Sequence, residues 1–411
     1  MSAPRGMVVV GAGECGTRAA FALREVGYEG PVTLVGEEAL APYERPPLSK
    51  GTSSGMPHSP AFIVPEGSFA AKEICHIAGM KVISIDVAGR SVVLAGGGRL
   101  AYDRLLIATG ARPRRLAMAD GVSSTHYLRT YDDAVAIGRH LVAGHRLAII
   151  GAGFIGLELA AMARRCGAVV TVLETAPRIL MRAVPEEIAG IVSDIHLREG
   201  VAIRCGAHLS SIEENGGETL VTMANGEVLA FDALVVGIGA VPATELAQAA
   251  GLALENGIAV DETLRTSAPD IFAAGDCCSF PIPVYGGRRV RLEAWRNAQQ
   301  QGNLAARNML GAGERIDTVP WFWSDHYEWT LQIAGLSEGG VQTVVRPVAE
   351  GGCLVFQLNA NGALISVGGI ARGNTLARDI RLSEMLIAGG TVLSPGSLAN
   401  HEVRLKSLLA T

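Results

Sequence analysis

The sequence predicts an α/β protein: two βαβ units of the same design, followed by a separate C-terminal α+β domain. Two observations predict the paired units. Apolar runs at 7–10 and 147–150 each end in the same glycine spacing, Gly11-x-Gly13-x-x-Gly16 and Gly151-x-Gly153-x-x-Gly156, and each leads into a helical pattern of alanine and leucine. A second apolar strand then closes each unit on an acid, Glu37 or Glu174. A third observation predicts the last domain: from Pro320 onward the pattern shifts to short strands and then to helical stretches.

Strand, tight glycine turn and helix are what a dinucleotide requires. The glycines allow a sharp turn and close backbone approach to a pyrophosphate, which sits at the positive end of the helix. A closing acid can accept hydrogen bonds from a ribose 2′-hydroxyl. One glycine triplet can be a plain turn, but two complete units with closing acids point to two dinucleotides, most economically FAD at the first and a nicotinamide dinucleotide at the second.

In order, the first unit takes residues 7–10 as a strand, 17–26 as a helix stopped by Gly27 and Gly30-Pro31, and 32–35 as the next strand. Residues 42–50, PYERPPLSK, are expected to form a proline-stiffened extended loop that fixes Lys50, one of only four lysines in the chain. Residues 52–70 read as a surface loop. Strands are expected at 81–85 and 91–94, followed by 101–103 leading into a strand at 105–108 that ends in Thr109-Gly110. Residues 114–146 form a connection carrying Arg129. The second unit runs over 147–174, with 201–204, 220–224 and 233–236 expected as further strands of its sheet, up to Gly239. A helix at 244–250 and strands at 257–260 and 271–274 follow, the last opening Gly275-Asp276, where a carboxylate at a strand's carboxyl edge can meet a ribityl hydroxyl. A helix is expected over 291–309. The last domain takes strands at 331–334, 342–345, 353–357 and 364–368 and a helix at 372–388.

Composition narrows the function. A hydrophobic fraction of 49% with 51 glycines and 18% charged residues suits an enzyme with buried parallel strands. A net charge of −5 argues against a nucleic-acid partner. No apolar run reaches the roughly 18 residues of a membrane span, and the N-terminal apolar run ends in a glycine fingerprint, so a cytoplasmic protein is expected. The seven cysteines (15, 75, 166, 205, 277, 278, 353) show no metal or dithiol spacing; the adjacent Cys277 and Cys278 read as small core residues, and a reducing compartment fits.

These landmarks together resemble the FAD-containing ferredoxin reductases that serve Rieske oxygenases and bacterial cytochromes P450, the group of putidaredoxin reductase and rubredoxin reductase. The resemblance rests on GAGECG, GEE at 36–38, PYERPPLSK, LLIATGARPR, GAGFIGLELA, VLE at 172–174, IFAAGDC, RLEAWRNAQQQG and PWFWSD, in order from about residue 7 to 325. It implies two dinucleotide-binding (Rossmann-like) domains of glutathione-reductase type: FAD-binding, 1–113 and 241–318; NADH-binding, 114–240; and a C-terminal α+β domain, 319–411. FAD contacts would come from Gly11, Gly13, Cys15, Glu37, Lys50, Val82, Arg129, Asp276 and Trp295, with Gly16, Arg45, Thr109, Gly110, Gly275 and Trp321 as further cofactor-binding residues. Gly151, Gly153, Ile155, Gly156, Glu158, Glu174 and Gly239 would line the NADH site, and no metal is expected. Lys50 and Glu158 take the catalytic roles, Lys50 near the flavin and Glu158 hydrogen-bonded to the nicotinamide amide. His326 stands where a glutamine often follows in the family.

The activity implied is that of the reductase component of a multicomponent oxygenase: a hydride passes from NADH to FAD, and single electrons then go to a [2Fe–2S] ferredoxin. Glu174 disfavours a 2′-phosphate and so favours NADH over NADPH. Arg112, Arg114, Arg115, Arg288, Arg289, Arg291 and Arg307 are candidates for a basic docking rim. No cysteine lies in 42–50, which argues against disulfide reductases and NADH peroxidases. The alternatives are a monodehydroascorbate-reductase-like or rubredoxin reductase activity, or an NADH-responsive interaction protein like apoptosis-inducing factor. A monomer or homodimer is expected, with no membrane partner.

Overall fold

The computed structural model describes residues 5–51, 55 and 59–410. The chain divides into two compact units. The first comprises Met1–Glu44, Pro60–Arg112 and Val241–Thr318; the second comprises Arg45–Ser59, Pro113–Ala240 and Val319–Thr411.

The first unit is built on a sheet that starts with β1 (Gly6–Val10), all of it buried. The helix α1 (Glu14–Glu25) and strand β2 (Val32–Val35) follow, and β2 runs parallel to β1. The sheet order is Ile74–Ile77, β2, β1, Arg99–Ile107, Ser91–Leu94, Val82–Asp86, with Ile271–Ala273 added beside Arg99–Ile107. Parallel strands buried on both faces account for the unbroken apolar runs. Strand Ile74–Ile77, which half-exposed Cys-His spacing obscures in sequence, completes the edge.

The second unit carries β3 (Arg146–Ile150), α2 (Phe154–Arg165), β4 (Val169–Glu174) and α3 (Glu186–Arg198). Its parallel sheet has the order Ala202–Cys205, β4, β3, Ala233–Val236, Thr125–His126. The expectation that 220–224 belongs to this sheet is corrected: Glu218–Met223 is the middle of a separate antiparallel meander with Leu209–Asn215 and Val228–Phe231. Its alternating burial marks a one-faced antiparallel strand, unlike the fully buried parallel ones. The C-terminal part of the unit is a five-stranded antiparallel sheet. It contains β5 (Trp321–His326) and β6 (Trp329–Gly335), and then Leu364–Arg372, Cys353–Leu358 and Gln342–Pro347. Helix Ala377–Ala388 follows it, starting later than residue 372 because Leu364–Arg372 continues as strand.

Two further boundaries differ from expectation. Pro46–Ser49 is a 3₁₀ turn, since paired prolines already hold the φ that the start of a helical turn needs. The long polar helix begins at Trp295 rather than 291, behind the strand Arg288–Val290. Of the loop expected at 52–70, residues 52–54 and 56–58 lie outside the described residues, and Ser68–Ala71 forms a helical turn. Among the described residues no helix is long and apolar enough to cross a membrane.

Candidate active site

Each unit places a glycine turn at the carboxyl end of its first strand. In the first, Gly11 has φ +107° and a Cβ there would meet the Ala108 carbonyl; in the second, Gly151 has φ +104° and a Cβ would lie 2.5 Å from the Gly237 carbonyl oxygen. Only glycine fits such a conformation against backbone. The middle glycines behave in the opposite way: a Cβ on Gly13 or Gly153 would meet nothing within 4 Å. Gly13 and Gly153 are the N-caps of α1 and α2, and no side chain caps either helix. Two helix N-termini of twelve residues each, with open space before them and N–H groups unclaimed by side chains, fit two dinucleotide pyrophosphates.

The closing acids differ. Glu37 is exposed and its carboxylate pairs with Lys81 at 3.0 Å. Glu174 accepts hydrogen bonds from the backbone N–H of Ala152 (2.7 Å) and of Ala176 (2.8 Å), which fixes it against the glycine turn with acceptor capacity to spare. Nearby, Arg178 donates to the carbonyls of Ile179, Met181 and Val184, which ties its guanidinium to its own loop.

In the first unit, Cys15 and Gly16 lie buried in α1, and Gly302 of the Trp295–Met309 helix packs where a side chain would strike the Cys15 carbonyl. Thr109 donates to the Ala243 carbonyl (2.7 Å), and Ala243 N–H donates to Gly110 (2.9 Å), so both strand-end residues are held in place. Gly275 N–H donates to Gln301, and Asp276 lies in the turn Gly275–Cys277. Val82 opens the edge strand Val82–Asp86 and is buried. Burial pushes the thiols of Cys15, Cys277 and Cys278 above their ordinary range, which suppresses the thiolate and makes them packing residues. All cysteines among the described residues are free.

The second unit assembles a polar cluster that sequence reasoning foresaw only in part. Glu158, one turn into α2, has a side chain 5% exposed. Its two oxygens accept from Ser49 Oγ (2.5 Å) and Ser324 Oγ (2.6 Å). Lys50 Nζ lies 3.4 Å from the Glu158 carboxylate and 2.6 Å from Asp325 Oδ2. Strand alternation in β5 explains the division of labour. Phe322, Ser324 and His326 meet Phe154, Glu158 and His196 of α2 and α3 respectively. Trp321, Trp323 and Asp325 point the other way: the two indoles stack at 5.4 Å, and Lys50 lies over the Trp323 ring at 4.6 Å. Arg45 donates to the Arg129 carbonyl (2.9 Å), and Arg129 precedes a helix fixed by a Thr130–Asp133 capping box. Gly239 has φ +106° and open space, while Ile155 is half exposed at the start of α2. The structure thus brings Lys50 and Glu158 together and adds Ser49, Ser324 and Asp325. These three lie inside the conspicuous motifs, but only the tertiary fold brings Ser49 and Ser324 to the Glu158 carboxylate and Asp325 to Lys50. Among the described residues no group of three or more His, Cys, Asp or Glu is arranged to hold a metal.

The arginines expected to form a basic rim are largely neutralised. Arg112, Arg115, Arg289, Arg291 and Arg307 pair with Glu245, Asp120, Glu255, Glu293 and Glu314 respectively. Each nearby carboxylate offsets the charge of its arginine, so a one-sign field does not build up.

The profile of the pyridine nucleotide-disulphide oxidoreductases matches residues 5–302. The chain belongs to this family. The Reductase C-terminal profile matches residues 321–409 of the same oxidoreductase. It is 40% identical over 406 residues to the ferredoxin–NAD(+) reductase component of the anthranilate 1,2-dioxygenase system of Burkholderia cepacia, covering 98% of each chain. It is 37% identical to putidaredoxin reductase of Pseudomonas putida, covering 100% of this chain and 98% of that one. A crystal structure of the covalent putidaredoxin reductase–putidaredoxin complex superimposes with a TM-score of 0.93 at 36% identity, covering 100% of this chain and 99% of that one. The oxidoreductase has two glycine turns but no cysteine in 42–50, so in that segment it lacks the thiols from which its family takes its name.

Proposed function

We propose that the protein is an FAD-dependent NADH:ferredoxin reductase, the component of a multicomponent oxygenase system that delivers single electrons to a [2Fe–2S] ferredoxin. The observation that carries this reading is the likeness to ferredoxin–NAD(+) reductase components along the whole chain, including the C-terminal part. That part supplies Ser324 and Asp325 to Glu158 and Lys50. All seven cysteines are free, four of them buried, so no internal disulfide stands ready to receive the electrons and they leave for an external acceptor. They also suit a reducing compartment, and we place the protein in the cytoplasm.

In this reading residues 1–113 and 241–318 form the FAD-binding domain, 114–240 the NADH-binding domain, and 319–411 the C-terminal domain. Gly11, Gly13, Gly16 and the N-terminus of α1 would hold the FAD pyrophosphate, with Cys15, Glu37, Val82, Thr109, Gly110, Gly275, Asp276 and Trp295 as further contacts. Arg45, Arg129 and Trp321 keep the cofactor-binding roles that the family resemblance gives them. When bound, FAD supplies the conversion of a hydride from NADH into electrons released one at a time. The chain's residues bind and orient. Gly151, Gly153, Gly156 and α2 receive the NADH pyrophosphate, with Ile155 and Gly239 lining the site, and Glu174 accepts the ribose hydroxyls. Glu158 accepts a hydrogen bond from the nicotinamide amide, and Lys50 places a positive charge beside it.

The test is to load the protein with FAD and follow NADH oxidation with a [2Fe–2S] ferredoxin, with a rubredoxin and with ascorbyl radical as acceptors. Ferredoxin turnover well above the other two is expected. Faster turnover of ascorbyl radical or rubredoxin would overturn the reading. A long-lived reduced complex that no acceptor reoxidises would overturn it too and would point to a sensor of NADH.

A further inference from the structure

We propose that Asp325 is a positioning residue: it draws the Lys50 ammonium away from Glu158 and so keeps the Glu158 carboxylate available to NADH. The inference rests on the reading above that Glu158 receives the nicotinamide amide.

Lys50 lies between two carboxylates and treats them unequally. Its separation of 2.6 Å from Asp325 is that of a charge-assisted hydrogen bond, whereas 3.4 Å from Glu158 is too long for one. Asp325 is itself anchored, accepting from Trp323 Nε1 (3.2 Å) and Thr330 Oγ1 (3.0 Å). The Trp323 ring lies beneath the ammonium at 4.6 Å, giving it a third fixed neighbour. Glu158, in turn, is oriented by hydroxyls: Ser49 and Ser324 each donate to a different oxygen.

This division has a chemical consequence. An ionised carboxylate offers about four lone-pair sites, and two hydroxyl donors leave the others usable. Lys50 supplies its buried carboxylate with a nearby positive charge without closing a tight ion pair on it. Were Asp325 neutral, the ammonium would move onto the Glu158 carboxylate. An incoming amide N–H would then compete with an ion pair for the same oxygens. The strand β5 therefore tunes one carboxylate through both its faces, with Ser324 acting directly and Asp325 acting through Lys50.

The experiment uses the full chain loaded with FAD, as wild type, Asp325→Asn, Asp325→Glu, Glu158→Gln and the double variant D325N/E158Q. Steady-state NADH:ferricyanide kinetics separate KM from kcat, and crystal structures of the NADH-free wild type and D325N locate Lys50 Nζ. In D325N the NADH KM is expected to rise roughly tenfold with kcat changed less than about twofold, because a ground-state contact is being competed away. Asp325→Glu is expected to restore most of the KM. In the E158Q background D325N should raise KM no further, and its Lys50 Nζ should lie within about 3 Å of Glu158 in the single variant. Should D325N fold poorly, Thr330→Val, which removes one anchor of Asp325, is expected to raise KM in the same direction by a smaller factor. An unchanged KM in D325N, effects of D325N and E158Q that multiply, or an unmoved Lys50 would overturn the inference. If wild type reduces ferredoxin normally, such a result defeats only the role of Asp325. If wild type fails to oxidise NADH at all, the functional reading and the inference fall together.

Discussion

The two glycine turns share a backbone and differ in what stands one turn into the helix. Gly11 and Gly151 have φ within a few degrees of each other, and both helices begin on an uncapped glycine. Around the third glycine of that shared motif the first unit has Cys15-Gly16-Thr17-Arg18 where the second has Ile155-Gly156-Leu157-Glu158, so Arg18 and Glu158 each stand seven residues after the first glycine. Arg18 is partly exposed and pairs with Glu25 and Asn303 on the surface. Glu158, at the matching place, is buried and receives two hydroxyls and a lysine. The lesson is that a repeated backbone device supplies phosphate binding twice, while the reaction is set by side chains that other segments bring to only one copy.

The largest test of this comparison is to spoil each turn separately. Gly151→Ala adds a Cβ 2.5 Å from a carbonyl at a left-handed φ. It is expected to weaken NADH binding by about a hundredfold or more while FAD stays bound, because strain of this kind costs a few kcal/mol locally. Gly11→Ala should do the reverse and yield protein that loses FAD on gel filtration. Equal loss of both cofactors in either variant would break the comparison.

Acid separates the units next. Burial holds His196 down to about 4 and His326 below the usual imidazole range, and His196 Nε2 lies 3.2 Å from His326 Nδ1 between α3 and β5. Both stay neutral in the fold. Below pH 6.5 the unfolded chain binds protons that the fold excludes, so stability falls as pH drops from about 6.5 toward 4 and is unaffected above that window. For His196 the loss at the acid end is on the order of 3 kcal/mol. His326→Gln, which cannot titrate, should flatten the acid limb of a thermal-melt series followed by tryptophan fluorescence. Three of the four tryptophans (321, 323 and 329) belong to the second unit, so that signal reports on it.

A smaller effect is expected at the closing acids. Glu174→Ala should lower the ratio of kcat/KM for NADH over NADPH by roughly tenfold, since it removes both a ribose acceptor and a charge that repels a 2′-phosphate. The smallest is Arg18→Gln, a partly exposed pair expected to change stability by less than about 0.5 kcal/mol.

Much of this arrangement is legible in the sequence, because strand–glycine–helix units are local. Gly11 to Glu37 and Gly151 to Glu174 can be placed from spacing alone, and the buried parallel strands appear as unbroken apolar runs. What escaped was non-local or weakly patterned. Glu218–Met223 reads like a sheet strand until its antiparallel partners are known, and Ile74–Ile77 is too short and mixed to stand out. Lys50 and Glu158 were visible as charged residues in apolar or stiff surroundings, yet Ser49, Ser324 and Asp325 were not, since a serine or aspartate next to a motif residue carries no mark of its eventual partner. Free arginines in the sequence became ion pairs in the fold for the same reason.

The most direct measurement mixes NADH anaerobically with FAD-loaded Glu158→Gln and Arg18→Gln in a stopped-flow instrument and follows the loss of flavin absorbance. Glu158→Gln is expected to lower the second-order rate of flavin reduction by roughly a hundredfold, while Arg18→Gln stays within about twofold of wild type. Equal rates for the two variants would contradict this, because the matching positions of the two turns would then be interchangeable.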